Sequence, residues 1–245
     1  TLMKMGSPSN YISWSGNSKL LSVSETGKII FWCLKTGNHL AFKGDIINYD
    51  TVSFCPNSLQ FSYISGRSLN NVYFLEKQIK SVNLLQHNCK LNAIAYSHDG
   101  TKLAICDING SVFFIDADSQ EDVGMGYNHE GIESLHWSKD GNKLVSQSPN
   151  CLKVWDCNNN ATLSELVLTD EEKVSSVALS PDGNLVAYSC LDCVRIWDIK
   201  NNQLLNDKLT GFTQGITCIA WAPDSKRLAA GSLDKTIKIW GKTLA

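Results

Sequence analysis

Between residues 174 and 209 apolar and polar positions alternate in short bursts separated by turn residues. Val174, Val177 and Leu179 form one apolar segment, and Leu185-Val186-Ala187-Tyr188 a second. Val194-Arg195-Ile196-Trp197 alternates with the two-residue period of a strand, and Gln203 to Leu209 predicts a fourth strand. The segments are separated by Pro181-Asp182-Gly183, Leu191-Asp192 and Asn201-Asn202. In the first of these turns Pro presets φ and Gly accepts a positive φ. Nowhere does a 3.6-residue apolar stripe run long enough to predict a helix.

This pattern repeats. An apolar anchor followed by a small or polar turn occurs at Trp14, Phe54, Tyr96, Trp137, Leu179 and Trp221, at spacings of 40, 42, 41, 42 and 42 residues. A second motif, an alternating strand closed by a bulky residue, ends at Trp32, Leu75, Ile115, Trp155, Trp197 and Trp240, at spacings of 43, 40, 40, 42 and 43. Two independent motifs in step, with three or four short strands per period, predict an all-β propeller.

Ser180-Pro181-Asp182-Gly183, Trp155-Asp156, Trp197-Asp198 and Gly231-Ser232-Leu233-Asp234 leading to Ile237-Lys238-Ile239-Trp240 together resemble the WD40-repeat family, over essentially the whole chain. The resemblance implies a WD40-type β-propeller of six blades, each of four antiparallel strands. It also implies that the last blade is completed by the N-terminal strand, residues 1–5, beside 235–240. The alternative is part of a seven-bladed ring. Family members typically bury a network of a Gly-His pair, a Ser or Thr, a Trp and an Asp in a tight turn. Nine residues before the anchors stand Asp45, His87, Asn128, Asp170 and Phe212, with His129 one place off, and the Asp position reads Thr26, Asn109, Asp192 and Asp234. No repeat has the full set, so blade stability is expected to rest mostly on packing.

Length and composition narrow the picture. The 245 residues are 43% hydrophobic, enough for a sizeable core, and 22 basic against 24 acidic side chains leave a net charge of −2. That balance argues against an electrostatic nucleic-acid binder. No apolar run suits a membrane span, and no signal-peptide pattern is present. Nine cysteines, an odd number, read as reduced thiols in an intracellular protein, cytoplasmic or nuclear. The chain begins with Thr1, and residues 1–245 are expected to be one propeller domain excised from a longer chain.

Candidate chemistry is sparse. Cys190-Leu191-Asp192-Cys193 is a CxxC, but its cysteines fall at routine repeat positions, and a zinc site wants two further ligands. No zinc-protease, nucleophile-elbow or phosphate-loop motif occurs. No catalytic, metal or cofactor site is expected. Trp32, Trp155, Trp197 and Trp240 share one strand position and Trp14, Trp137 and Trp221 another, as blade-core packing would require.

What remains is the loop set. The family resemblance places the loops before the first strand and between the second and third on one face. Tyr127 and Phe212 each follow a glycine there, as aromatic anchors, beside His129 and the acidic run Asp170-Glu171-Glu172, with Arg67 on another turn. These seven residues are the candidate partner-binding set. The expected function is a non-catalytic scaffold for a protein or peptide partner, as a subunit of a larger complex, with no nucleic-acid or membrane partner. The alternatives are an enzyme with its site at the central channel and a substrate receptor of a ubiquitin ligase. For the latter, Trp197-Asp198-Ile199-Lys200 carries Lys where that subgroup of the family carries Arg.

Overall fold

The computed structural model describes residues 12–14, 20–25, 28–33, 39–42, 52–56, 60–75, 78–123, 126–159, 161–169, 171–205 and 207–241. They form six antiparallel sheets, each built from strands consecutive in the chain. The first holds β1 (Ile12–Trp14), β2 (Leu20–Glu25), β3 (Lys28–Cys33) and β4 (His39–Phe42); the second β5 (Val52–Phe54), β6 (Gln60–Ser65), β7 (Ser68–Leu75) and β8 (Gln78–Gln86). The third holds β9 (Leu91–Tyr96), β10 (Lys102–Asp107), β11 (Ser111–Asp116) and β12 (Tyr127–Asn128); the fourth β13 (Ser134–Trp137), β14 (Lys143–Ser148), β15 (Cys151–Asp156) and β16 (Ala161–Val167). The fifth holds β17 (Val177–Leu179), β18 (Leu185–Cys190), β19 (Cys193–Asp198) and β20 (Gln203–Leu204); the sixth β21 (Ile216–Trp221), β22 (Arg227–Ser232) and β23 (Ile237–Gly241). The expected partner of β23, residues 1–5, lies outside the described residues.

The chain divides into two compact units, Thr1–Asn128 and His129–Ala245. Within each unit the core lies between neighbouring sheets. Leu69, Leu91, Leu103 and Ile105 pack between the second and third. Val154, Leu168, Val186 and Trp197 pack between the fourth and fifth, and Val194, Ile196, Leu228 and Ala230 between the fifth and sixth. The second strands carry the heaviest burial: after its first residue, each of β10, β14 and β18 is buried on both faces. Their neighbours β11 and β15 share one alternating pattern, the period-2 signal of the sequence. The predicted fourth strand over Gln203–Leu209 is shorter as a ladder: among the described residues it pairs at Gln203 and Leu204, the Leu205 amide donates to the Ile196 carbonyl, and a Leu209–Val194 bridge follows.

The turn between first and second strands is built the same way three times. Ser97, Ser138 and Ser180 each donate Oγ–H to the Asp two residues on, at 2.6 Å. Each also accepts the amide of the residue opening the second strand, at 3.0, 2.9 and 2.9 Å. Gly100, Gly141 and Gly183 close the turn at φ +70, a conformation that favours glycine. Burial works to raise the pKa of Asp99, Asp140 and Asp182, but the Ser hydroxyl and the backbone amide that each accepts outweigh it and hold all three carboxyls below their usual value. In the sixth sheet Ala222 replaces the Ser and Ser225 adopts the positive φ, +57.

Replacing Ser180 by Ala is therefore expected to leave the Leu185 amide without its acceptor and Asp182 without its donor. The loss should be about 1–2 kcal/mol of unfolding free energy in urea titration, with little change in m.

Candidate functional site

The buried site between the loop before the first strand and the third strand recurs in four sheets, filled differently in each. In the fourth, His129 is held between Ser146 and Ser148; in the fifth, Glu172 pairs with Arg195. In the sixth, Phe212 lies under Lys238, whose Nζ is 5.6 Å from the ring centroid, and in the third His87 stacks on Phe113 at 5.1 Å. Phe113, Lys153, Arg195 and Lys238 each stand two residues before the bulky residue that closes the repeat.

His129 corrects an expectation. Two members of the family network gather around it although no repeat carries the whole set. Trp155 Nε1–H donates to Ser146 Oγ at 2.8 Å, and Ser146 Oγ lies 2.7 Å from His129 Nδ1. On the other side His129 Nε2 lies 3.0 Å from Ser148 Oγ, which donates to the Cys151 carbonyl at 3.2 Å. Every polar atom is satisfied in one arrangement: neutral imidazole with its proton on Nε2, Ser146 donating to Nδ1. Ser148 takes the place of the missing Asp. The sequence put His129 one residue out of step because the segment from it to Trp137 is one residue shorter than that from His87 to Tyr96.

The other candidate residues divide. Tyr127 and Phe212 are not exposed anchors. Each is 5% exposed, Tyr127 edge-on to Phe114 at 5.6 Å and Phe212 edge-on to Trp240 at 5.8 Å. A large ring next to an apolar neighbour gains more from burial than from water, and the glycine before Phe212, at φ +115, turns the chain at that point. His129 is buried with both ring nitrogens engaged. Glu172 is buried and committed internally: Arg195 Nη1–H donates to it at 2.5 Å, Tyr188 Oη–H at 3.2 Å, and the Thr169 amide at 3.1 Å. Burial works to raise the Glu172 pKa, but the Thr169 amide, Arg195 and Tyr188 outweigh it and keep the carboxylate ionised. Arg67 and Glu171 are exposed, and Asp170 lies outside the described residues. Of the seven, two therefore offer a described side chain to solvent.

The signal the sequence reading missed is on the turns between second and third strands. Leu191, 52% exposed, and Leu233, 63% exposed, occupy this turn in the fifth and sixth sheets, and Ile108, 53% exposed, occupies it in the third. Leu191 and Leu233 are tied together through Gly215: the Ile216 amide donates to the Leu191 carbonyl and the Leu233 amide to the Gly215 carbonyl, both at 3.0 Å. Leu191 holds φ at +54, a conformation that costs a leucine about 1–2 kcal/mol. Asp234 beside Leu233 is fully engaged: hydrogen bonds from Thr236 and Thr213 lower its carboxyl pKa to about 2.

The buried His129 and the half-buried His136 carry a pH prediction. Burial, aided by Lys153, pushes the His129 pKa down to about 4, and burial alone does the same at His136. Both lie below the unfolded value near 6.5, so the unfolded chain takes up protons that the folded chain refuses. Stability is full above pH 6.5 and falls as the pH drops toward 4, by about 2 kcal/mol per imidazole at pH 5. Urea titrations at pH 7.5 and 5.0 should show this difference, and H129Q should reduce it by about half.

Comparison with known proteins agrees with this architecture. The family model "WD domain, G-beta repeat" matches residues 123–156, 164–198 and 204–241. WD repeat-containing protein 1 from Gallus gallus is 26% identical over 163 residues, 62% of this chain and 27% of that protein. Actin-interacting protein 1 from Drosophila melanogaster is 25% identical over 182 residues, 69% of this chain and 30% of that one. The chain thus spans less than a third of these relatives. Among solved structures, the Cps50 (Swd1) β-propeller domain of Myceliophteria thermophila superposes with a TM-score of 0.79 at 22% identity, over 95% of this chain and 83% of that one. Serial antiparallel sheets, Ser-x-Asp turns and the Trp-centred network agree with these comparisons: three segments between residues 123 and 241 match the WD40 repeat model, and the chain has the fold of a WD40-type β-propeller.

Proposed function

We propose that the chain is a non-catalytic interaction module that binds a protein or peptide through the turns between second and third strands. WD40 propellers are generally protein-interaction scaffolds. The observation that carries this reading is the pair Leu191 and Leu233, two large apolar side chains exposed on adjacent hairpin tips that one backbone linkage joins. Isolated exposed leucines are ordinary. Leucine on adjacent hairpin tips, with Ile108 at the same repeat position, is a pattern where polar turn residues would fold equally well. The positive φ at Leu191 adds to it, since glycine or asparagine would relieve that strain. The charged neighbourhood contributes less than the sequence suggested, because Glu172 is neutralised by Arg195.

An intracellular setting is supported by eight described cysteines, all without a disulfide partner. The interaction is expected to be apolar at its centre and to tolerate moderate salt.

Capture from lysate with wild type, L191E/L233E and L191G tests the proposal; purified actin, the partner in the Drosophila relative's name, is one defined bait. L191G should fold at least as stably as wild type, since it relieves strain. The proposal expects both variants to retain their urea midpoints and to lose captured partner at least about tenfold. Capture unchanged in both would place the interface elsewhere on the molecule.

A further inference from the structure

We propose that His87, Cys89 and Asp107 form a zinc-binding site in the third sheet, between the loop before β9 and the turn after β10. A ring nitrogen of His87, the Cys89 thiol sulfur and a carboxylate oxygen of Asp107 all lie within 4.8 Å of one another. Nitrogen, sulfur and oxygen from three different side chains are the donor set of a borderline-soft divalent ion. With ligand bonds of about 2.0–2.3 Å, a tetrahedral ion sets its ligand atoms about 3.3–3.7 Å apart. The widest pair must close by about 1 Å, which a side-chain rotation at the half-buried Cys89 can supply.

The surroundings hold each ligand as a metal would need it. Asp107 is 3% exposed, and its Oδ1 accepts the amides of Asn109 at 2.9 Å and Ser111 at 3.0 Å. Those bonds fix the carboxylate and leave Oδ2 with no hydrogen bond among the described residues. Cys89 Sγ accepts from Asn109 Nδ2 at 3.0 Å, the kind of outer contact that steadies a thiolate ligand. The His87 ring is fixed by stacking on Phe113, and its Nδ1 lies 3.4 Å from the Cys89 carbonyl and 3.2 Å from the Cys89 amide. The Cys89 amide donates to Nδ1, so ligation through Nε2 moves the ring proton to Nδ1, where the Cys89 carbonyl accepts it in place of the amide contact.

The cluster is not a feature of the repeat. The position of Asp107 is filled by Ser148, Cys190 and Ser232 in later sheets, and that of His87 by residues packed inward. The sequence concealed the site because its ligands are 18 residues apart across a strand, and His87 and Cys89 alone are an unremarkable pair. Three protein ligands leave one position of a tetrahedron for water or for a donor group on a partner. This inference stands apart from the leucine surface.

Zinc titration of the chelator-treated chain against a chromophoric competitor, followed by cobalt substitution, tests the proposal. Wild type is expected to bind one zinc with micromolar or better affinity and, with cobalt, to show thiolate charge-transfer absorption in the near ultraviolet. C89A should remove that absorption and weaken zinc at least about tenfold, with H87Q and D107N also weakening it. Each variant's urea midpoint without metal monitors folding, and C89S replaces C89A if the latter fails to fold. C190A/C193A should leave zinc affinity unchanged. Wild-type affinity no better than millimolar, equal affinity in C89A and H87Q, or loss confined to C190A/C193A would each overturn the assignment.

Discussion

A strand buried on both faces cannot be stable in a sheet standing alone. β10, β14 and β18 are such strands, and the rest of the structure follows from covering them. Within each unit a sheet presents an apolar face to its neighbour, so the core lies between sheets and repeats with the chain. Small residues make the approach close. Ala187 and Ala230 are buried in the contact between fifth and sixth sheets, and at Gly231 an added Cβ would come within 2.9 Å of Cys218 Sγ. Enlarging either alanine would push the two sheets apart rather than fill a gap, whereas a side chain at Gly231 would meet Cys218 on the next strand of its own sheet.

Given that constraint, the legible parts of the sequence are those whose physics is local. The Ser-x-Asp-Gly turn closes within six residues, so its hydrogen bonds depend on nothing distant, and the three copies coincide within 0.1 Å at the Ser-to-amide bond. The Trp and Ile positions at strand ends are set by a two-residue period. Loop residues were legible only by type. Counting nine back from the anchor reaches His87 and Phe212 but misses His129 by one and Glu172 by two, because the loops differ in length while the buried site does not move. The same arithmetic assigned Tyr127 and Phe212 to solvent. Nothing in their immediate sequence announces Phe114 or Trp240, which lie on other strands of the same sheets.

The buried site shows how one position absorbs very different chemistry. His129 brings a neutral imidazole with both nitrogens bonded, Glu172 a charge answered by Arg195, and Phe212 a ring under a lysine. In the last three of these sheets the strand residue two before the closing tryptophan is Lys153, Arg195 or Lys238, a long cation whose stem packs while its head finds either a carboxylate or an aromatic face. Only the Glu172 solution leaves a debt: Arg195 Nε is buried without a hydrogen-bond partner. The frame therefore tolerates substitution inside each sheet as long as the partners change together.

That tolerance separates architecture from recognition. The ladders dictate where each hairpin tip stands but not which side chain it carries, so tips are free to vary at little cost to the core. Thiols illustrate the difference. Burial pushes the Cys106 pKa up to about 12 and the Cys190 pKa up to about 11, which makes these thiols poor nucleophiles and ordinary packing groups. Cys89, on a loop, has the same atom half-buried and within 4.8 Å of a carboxylate oxygen of Asp107 and a ring nitrogen of His87. Leu191 is the converse, a core-type side chain on a tip, held at a φ that leucine disfavours. In both cases the residue type is at odds with what its place in the ladder asks of it, and it is there that a function beyond folding has to be sought.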